Sequence, residues 1–375
     1  MMVNRPPAET GMSLAQVETP ALLLDLDAFE RNLARLAGAA SRLGMRLRPH
    51  AKSHKCPEIA LRQMAAGAVG VCCQKVGEAE ALVAGGVGNV LVSNEIVAPA
   101  KIERLAALER EAWVGVCVDD AGNVEQLSDA ASRLGVTLPV LVEINVGANR
   151  CGVPPGEAAL QLAQLIDGAP GLRFAGLQAY HGGAQHLREF ARRREAIDKA
   201  VKLVKHTTAL LERHGLPCER VSGAGTGTYP FEGASGVYNE LQAGSYIFMD
   251  ADYGRNLDAA GAFVSEFEHS LFVLATVMSH PAKERAVLDA GLKAVSVDSG
   301  LPLVAGRAGV EYAGVSDEHG TLVLHGDGCA LEIGEKVRLI PGHCDPTVNL
   351  HDWYVGFRGD RVEALWAITA RGPGF

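Results

Sequence analysis

Between residues 46 and 246 the chain repeats one unit, a short β-rich run followed by a longer helical pattern, at intervals of about 20–35 residues. The runs fall at 45–49, 69–73, 90–93, 114–118, 139–145, 174–179, 220–222 and 240–243. A strand that returns parallel to its neighbour needs a crossover long enough to hold a helix. This rhythm therefore prescribes a parallel sheet, and eight unbroken units favour a closed (β/α)8 barrel over an open doubly wound sheet. Leu33, Leu36 and Ala40, and again Leu203, Leu210 and Leu211, carry the helical spacing that would face the barrel.

After Ser265 the texture changes to alternating runs without long helices: SLFVLATVMS, KAVSVDS, TLVLHG, KVRLIPGHCD and WYVGFRGDRVEALWAI, the last with a hairpin turn at Gly359-Asp360. That pattern reads as an antiparallel sheet. A further β-run at 21–24 precedes the first barrel strand, and its simplest home is the C-terminal sheet. The expected division is a barrel over 27–262 and a discontinuous β domain of 1–26 plus 263–375.

Composition narrows the class. Asp and Glu outnumber Lys and Arg 44 to 35, a formal charge of -9, which argues against nucleic acid or an anionic membrane as partner and for a small-molecule substrate. No apolar run reaches the roughly 18 residues of a membrane span, and the first residues lack the apolar core of a signal peptide, so a cytoplasmic protein is expected. Cysteines 56, 72, 73, 117, 151, 218, 329 and 344 form no CxxC pair and read as reduced, buried thiols.

The segment RLRPHAKSHKCPE sets Lys52 just beyond a predicted strand, at the face where barrels build active sites. Arg48, His50, His54 and Lys55 crowd positive charge around it, which would depress its pKa and favour a free amine. A solvated basic loop is the plain alternative. Polar or glycine-rich motifs recur after other predicted strands: CCQK, GANRCG, QAYH and GAGTGT. Gly-rich turns expose backbone N–H groups that can cradle a phosphate, and the late strands of a barrel are the usual place for it. A lysine at one end and a phosphate loop at the other suggest pyridoxal phosphate.

RPHAKSHKCP, CCQK, NRCGV, QAYHG, GAGTG, LQAGSY, FMDADYG, DAGLK, DEHG and HCDPT together resemble the D-threonine aldolases and D-serine dehydratases, the alanine-racemase-like (fold type III) pyridoxal-phosphate enzymes. By that resemblance Lys52 is the Schiff-base lysine and Tyr180 lies near the pyridine nitrogen. Gln74, Arg150, Gly225, Thr226, Gly227, Gly244, Ser245 and Tyr246 fall in the cofactor pocket, and His186 aligns with the base that takes the substrate's hydroxyl proton. His186 also reads as a surface loop histidine. The family loop has glycine where this chain has Ala224, tolerable only if that residue keeps φ negative.

His343 and Asp345 match the family's metal motif. On a strand, alternate residues share a side, so the two could converge on one ion while Cys344 faces away, leaving sites open for water and substrate. In the D-serine dehydratases of this family the second ligand looks like a cysteine two residues after the histidine; Asp345, by that resemblance, matches the aldolase branch, and a carboxylate favours manganese or magnesium over zinc. The implied reaction is retro-aldol cleavage of a 3-hydroxy-D-amino acid to glycine and an aldehyde by a homodimer. Arg255 and HCDPTVNLHDWYVG are similar to β-hydroxyaspartate aldolases, where Arg255 could pair with a second carboxylate; a surface arginine beside Asp258 is the alternative. Asp317 is a further substrate candidate, and Asp289 is expected toward the cleft. A D-serine or D-3-hydroxyaspartate dehydratase, and a noncatalytic pyridoxal-phosphate carrier, are the competing functions.

Overall fold

Strand β1 (Ala21–Asp25) and helix α1 (Leu26–Arg42) precede the eight strands that the rhythm anticipates. In this computed structural model, which describes residues 5–326 and 331–372, these are β2 (Arg46–Leu47), β3 (Val71–Cys73), β4 (Asn89–Glu95), β5 (Trp113–Val118), β6 (Leu138–Glu143), β7 (Leu172–Gln178), β8 (Arg220–Gly223) and β9 (Glu240–Leu241). Between them lie α2 (Pro57–Ala65), α3 (Val76–Ala84), α4 (Pro99–Leu108), α5 (Ala121–Leu134), α6 (Glu157–Gly168), α7 (Phe190–Arg213) and the short α8 (Tyr229–Gly233). All strand pairings are parallel, in the order β2-β9-β8-β7-β6-β5-β4-β3. A bridge from His50 to Cys72 and the bonds Val69 N–H to Leu47 O and Cys72 N–H to Pro49 O join the two ends of that order and close the ring.

The strands are buried on both faces, as a parallel sheet covered by helices requires. Period-two alternation sorts them. Cys72, Leu91, Cys117, Leu141 and Ala175 form a small inner cluster, while their neighbours Val71, Val90, Val116, Val140 and Leu177 join the larger core that includes the helices. At one end the lumen is filled by ions instead. Arg48 reaches Glu240 (2.9 Å) and Asn89 (2.6 Å) beneath the Trp113 ring, and Arg220 covers the same ring at 4.6 Å. Strand β7 bulges at Gly176, whose φ is +128° and where a Cβ would stand 1.9 Å from the Arg220 carbonyl oxygen, so only glycine fits. Of the expected barrel-facing residues, Leu36, Ala40 and Leu211 are buried and Leu33 and Leu210 partly so. Leu203 is exposed, because α7 turns Ile197, Ala200, Val204 and Thr207 inward.

The chain divides into two compact units, each taken by itself. One holds 35–244 and Asn256–Ala262; the other holds 5–34, Ser245–Arg255 and Phe263–Arg371 within the described residues. Ser245–Arg255, which the sequence assigns to the barrel, thus falls with the sheet, where it includes the short helix α9 (Ala251–Gly254). The sheet unit contains β1 with β10 (Leu271–Ala282), β11 (Arg285–Leu288), β12 (Leu303–Val304), β13 (Val310–Val315), β14 (Gly320–Leu324), β15 (Lys336–Ile340), β16 (Trp353–Arg358) and β17 (Arg361–Ala367). Strand β1 lies between β10 and β16, as anticipated, but its pairing with β16 is parallel and only the other pairings are antiparallel.

Two runs read as strand are not strand. KAVSVDS is a turn: Ala294 and Val295 are buried side by side rather than alternately, and the Asp298 carboxylate accepts from the Ser296 and Ser299 hydroxyls at 2.8 and 3.0 Å. The tail of KVRLIPGHCD leaves β15 and enters helix α10 (Cys344–Val348). Asp345 and Pro346 sit in its first turn, a place that suits an acidic residue and tolerates a missing N–H. No helix among the described residues is long and apolar enough to cross a membrane. The described cysteines form no disulfide. Cys56, Cys72, Cys73, Cys117 and Cys344 are buried, Cys151 and Cys218 only partly, and Cys329 lies outside the described residues.

Candidate active site

In the barrel unit the lysine segment follows β2 into a 3-10 turn, Ala51–Ser53. The His50 ring organises it, lying 3.4 Å from the Lys52 backbone N–H and 2.9 Å from the Gln74 amide nitrogen, which also donates to the Ser93 carbonyl at 3.1 Å. Gly244 packs against this turn; a Cβ there would stand 2.9 Å from His50 O and 3.1 Å from Ser53 Oγ. Lys52, half-buried, is thereby gathered with Gln74 and Gly244. The crowding of positive charge expected around Lys52 is not what the structure builds. Arg48 is neutralised by Glu240 inside the barrel, and Lys55 is ion-paired with Glu78, whose carboxylate also accepts from the Gln74 N–H.

On the neighbouring strands Arg150 lies over the Tyr180 ring at 5.9 Å, with the buried Glu143 carboxylate 3.7 Å from its guanidinium. Burial, and then the nearby Glu95, push the Glu143 carboxyl up to about 8. Glu95, Asp119 and Cys151 complete an acidic group at the ends of β4, β5 and β6, with donor atoms within 4.8 Å of one another. Its members come from three separate strand ends, so no local motif announces them. His181 stands where a Gly147 Cβ would be 2.6 Å from its ring, and its Nδ1 is buried without a hydrogen-bond partner among the described residues. His186 ends the 3-10 turn Gly182–His186 with its side chain exposed.

The glycine loop follows β8. Ala224 adopts φ +70°, not the negative φ expected for a residue with a side chain, so the position keeps the left-handed backbone that glycine would take at lower cost. Gly227 does not offer its N–H outward: it donates to Gln185 Oε1 at 3.0 Å, and its carbonyl accepts from Arg193 Nε at 3.1 Å. Thr226 is nearly buried between Gly225 and Gly227. A lysine amine, an arginine set against a tyrosine ring, an orphaned imidazole nitrogen and a tight loop after β8 fit the donor set of a phosphorylated aldehyde cofactor.

In the sheet unit His343 precedes α10 in extended conformation (φ -144°, ψ 126°) and Asp345 lies in its first turn, so a helix start rather than strand alternation sets their spacing. His343 Nδ1 bonds Asp298 Oδ2 at 2.8 Å, so Nε2 is the ring nitrogen that could meet an ion, the second-partner arrangement usual for metal-binding histidine. Asp250, buried and pushed up to about 6 by that burial, accepts from the Cys344 and Tyr253 N–H groups and pins α10 from below. Among the described residues no third His, Cys, Asp or Glu joins His343 and Asp345 in a compact donor set. One imidazole and one carboxylate suit a divalent ion with open positions. Asp298 was missed because KAVSVDS reads as a strand.

The remaining candidates also fall in this unit. Arg255 donates to the Ser299 carbonyl at 3.1 Å and its guanidinium covers Gly300, so it belongs to the Asp298 loop rather than to Asp258. Tyr246 is fully buried in an edge-on contact with Phe267 at 5.6 Å, and Ser245 is buried at the start of the same 3-10 turn. Asp317 lies on the exposed turn between β13 and β14. Asp289 spends its carboxylate on the Thr19 hydroxyl (2.5 Å) and the Thr276 N–H (2.7 Å), a brace between strands.

Comparison with known proteins decides the family. Residues 24–252 match the alanine racemase N-terminal domain, and residues 270–357 match a putative serine dehydratase domain. The chain belongs to the alanine racemase N-terminal domain family. It is 52% identical over 98% of its length to the 3-hydroxy-D-aspartate aldolase of Paracoccus denitrificans (strain Pd 1222), covering 96% of that protein. It is 50% identical over 98% of its length to the D-threonine aldolase of an Arthrobacter species, again covering 96%. The crystal structure of D-threonine aldolase from Filomicrobium marinum superposes with a TM-score of 0.96 at 53% identity, over 99% of this chain and 100% of that one.

Proposed function

We propose that this chain is a pyridoxal-phosphate- and divalent-metal-dependent aldolase that cleaves 3-hydroxy-D-amino acids of the D-threonine type to glycine and an aldehyde. The observation that carries this reading is the match over nearly the whole chain, at 50–52% identity, to proteins named as aldolases of such substrates. The residues supply the parts. Lys52 would hold the cofactor, with Gln74, Arg150, Tyr180, the 225–227 loop and Gly244 around it, and Ser245 and Tyr246 as further pocket residues. His343 and Asp345 would hold the ion, manganese or magnesium, whose Lewis acidity acts on the substrate hydroxyl. Bound pyridoxal phosphate supplies an electron-poor ring that accepts the electron pair of the breaking Cα–Cβ bond. His186 would take the hydroxyl proton as the Cβ–O bond becomes a carbonyl, and Asp298, bonded to His343 Nδ1, would hold that ring so that Nε2 is the nitrogen offered to an ion.

One observation favours a substrate with a second carboxylate. Arg255 is fixed on the loop that carries Asp298, which sets a guanidinium beside the metal histidine's own support. That supports a 3-hydroxy-D-aspartate aldolase yielding glycine and glyoxylate. The family resemblance supports a homodimer, and the absence of a disulfide among the described cysteines supports a reducing, cytoplasmic setting.

Assay of D-threonine and erythro-3-hydroxyaspartate with quantified products tests both readings. Glycine with an aldehyde or glyoxylate is expected. An oxoacid with ammonia as the main products would make the enzyme a dehydratase instead. Lys52→Ala is expected to abolish turnover, and a chelator to abolish it with the cofactor retained.

A further inference from the structure

Gly225 and Gly227 read in sequence as room for a phosphate, yet the room is filled by protein. A Cβ at Gly225 would lie 2.5 Å from Gln185 Oε1 and 2.6 Å from its Cδ. One at Gly227 would lie 3.0 Å from the Gln185 carbonyl oxygen and 3.3 Å from Oε1. Neither glycine has positive φ, so what demands bareness at Gly225 is the Gln185 side chain, and at Gly227 it is the Gln185 carbonyl together with the Asn256 amide at 3.2 Å and Gln185 Oε1. That amide is fully buried and saturated. Oε1 accepts from the Gly227 N–H at 3.0 Å, and Nε2 donates to Thr228 Oγ1 at 2.8 Å and to the His181 carbonyl at 3.3 Å. Thr228 Oγ1 passes its own hydrogen to Glu232 at 2.8 Å. The Gln185 backbone is held too, its carbonyl accepting from Asn256 Nδ2 at 3.0 Å.

Gln185 therefore ties two loops that follow different strands: 223–228 after β8, and the 181–186 segment after β7 that ends in His186. We propose that Gln185 is a positioning residue which sets the conformation of the 225–228 loop for the cofactor's phosphate and, through its own backbone, fixes where His186 stands. The proposal rests on the reading that this loop binds pyridoxal phosphate. Its chemistry is specific to an amide. A carboxylate at 185 keeps the acceptor for Gly227 but loses the donor for Thr228 and sets a negative charge beside an anion; an apolar isostere loses both bonds and leaves the Gly227 N–H buried without a partner.

The test compares the binding of pyridoxal phosphate with that of pyridoxal, which shares the aldehyde and ring but lacks the phosphate. Both are titrated by absorbance against the apo forms of the parent, Gln185→Leu and Gln185→Glu. The parent is expected to prefer the phosphorylated form strongly. Gln185→Leu is expected to weaken pyridoxal phosphate by about tenfold or more while leaving pyridoxal within about twofold, and Gln185→Glu to weaken it further. A general loss of packing would weaken both ligands alike. If the parent itself does not discriminate, the loop is not a phosphate site and the functional reading fails. If the parent discriminates and both variants discriminate equally well, the assignment of Gln185 is overturned and the functional reading survives. Should Gln185→Leu fail to fold, Gln185→Met, which keeps the length without a charge or a hydrogen bond, takes its place with the same expected and overturning results.

Discussion

Replacing Glu240 by Gln should destabilise the protein by about 3 kcal/mol, since breaking a buried pair typically costs about 3–5 kcal/mol and part of the partner's solvation here comes from other groups. Glu240 is fully buried. Its Oε1 accepts from Arg48 Nε at 2.9 Å and from the Ser222 hydroxyl at 2.8 Å, while Oε2 faces Arg46 and Arg220 at 4.0 and 3.9 Å. Glutamine keeps the shape but removes the charge, leaving the 1% exposed Arg48 with Asn89 and the Trp113 face, 5.1 Å away. A desolvated cation–π contact contributes about 2 kcal/mol, which is why the expected loss sits at the lower end of the range. Urea unfolding measures it as a fall in the midpoint of about 1 M for a slope near 3 kcal/mol/M. The second arm is Arg48→Met with Glu240→Gln, which removes both charges and should be less destabilised than the sum of the singles by at least about 1 kcal/mol. A cost below about 1 kcal/mol for Glu240→Gln, or additivity in the cycle, would refute the claim that this ion pair holds the barrel end at which β4, β5, β8 and β9 begin.

Glu232 is fully buried behind the glycine loop, and burial pushes its carboxyl from 4.5 up to about 8 against the bond from Thr228. Between those values the folded chain holds a proton that the unfolded chain has lost, so this group's contribution is full below 4.5 and stability falls as pH rises toward 8, on the order of 1 kcal/mol per pH unit. Glu232→Gln should flatten that dependence; identical urea midpoint profiles from pH 5 to 8 for the two proteins would contradict it. Asp298→Ala should weaken Mn²⁺ binding at His343 and Asp345 by about 10–100-fold in calorimetric titration, and an unchanged Kd would mean that the Asp298 bond does not orient the ligand. Ala224→Gly should stabilise the fold by about 1 kcal/mol, because it relieves a side chain at φ +70°, and a loss of stability on equilibrium unfolding would show that the Ala224 methyl packs well enough to outweigh the backbone strain.

The eight strand runs, the surplus strand at 21–25 and the texture change after Ser265 were legible because each is written in local periodicity: two for strands, 3.6 for helices. The candidate site residues Lys52, Gln74, Arg150, Gly225, His343 and Asp345 could be named from the sequence because they lie in compact motifs. Their partners were not. Asp298 sits 45 residues from His343 and Gln185 lies 42 from Gly227, and no local pattern encodes a hydrogen bond made across such separations.

What the sequence determined by itself was therefore the order and type of the elements and the chemistry that each motif could carry. Tertiary structure alone decided how that chemistry is tuned. It turned Arg48 toward Glu240 and Lys55 toward Glu78, compensating the charges that the linear segment sets beside Lys52. It replaced strand alternation by a helix start at His343 and Asp345, and it filled the bare face of Gly225 with the Gln185 amide and that of Gly227 with the Gln185 carbonyl and the Asn256 amide. The physical reason is common to all three: the charge balance and hydrogen bonding of a buried group are set by whichever neighbours the fold brings within about 3 Å, and those neighbours come from distant parts of the chain.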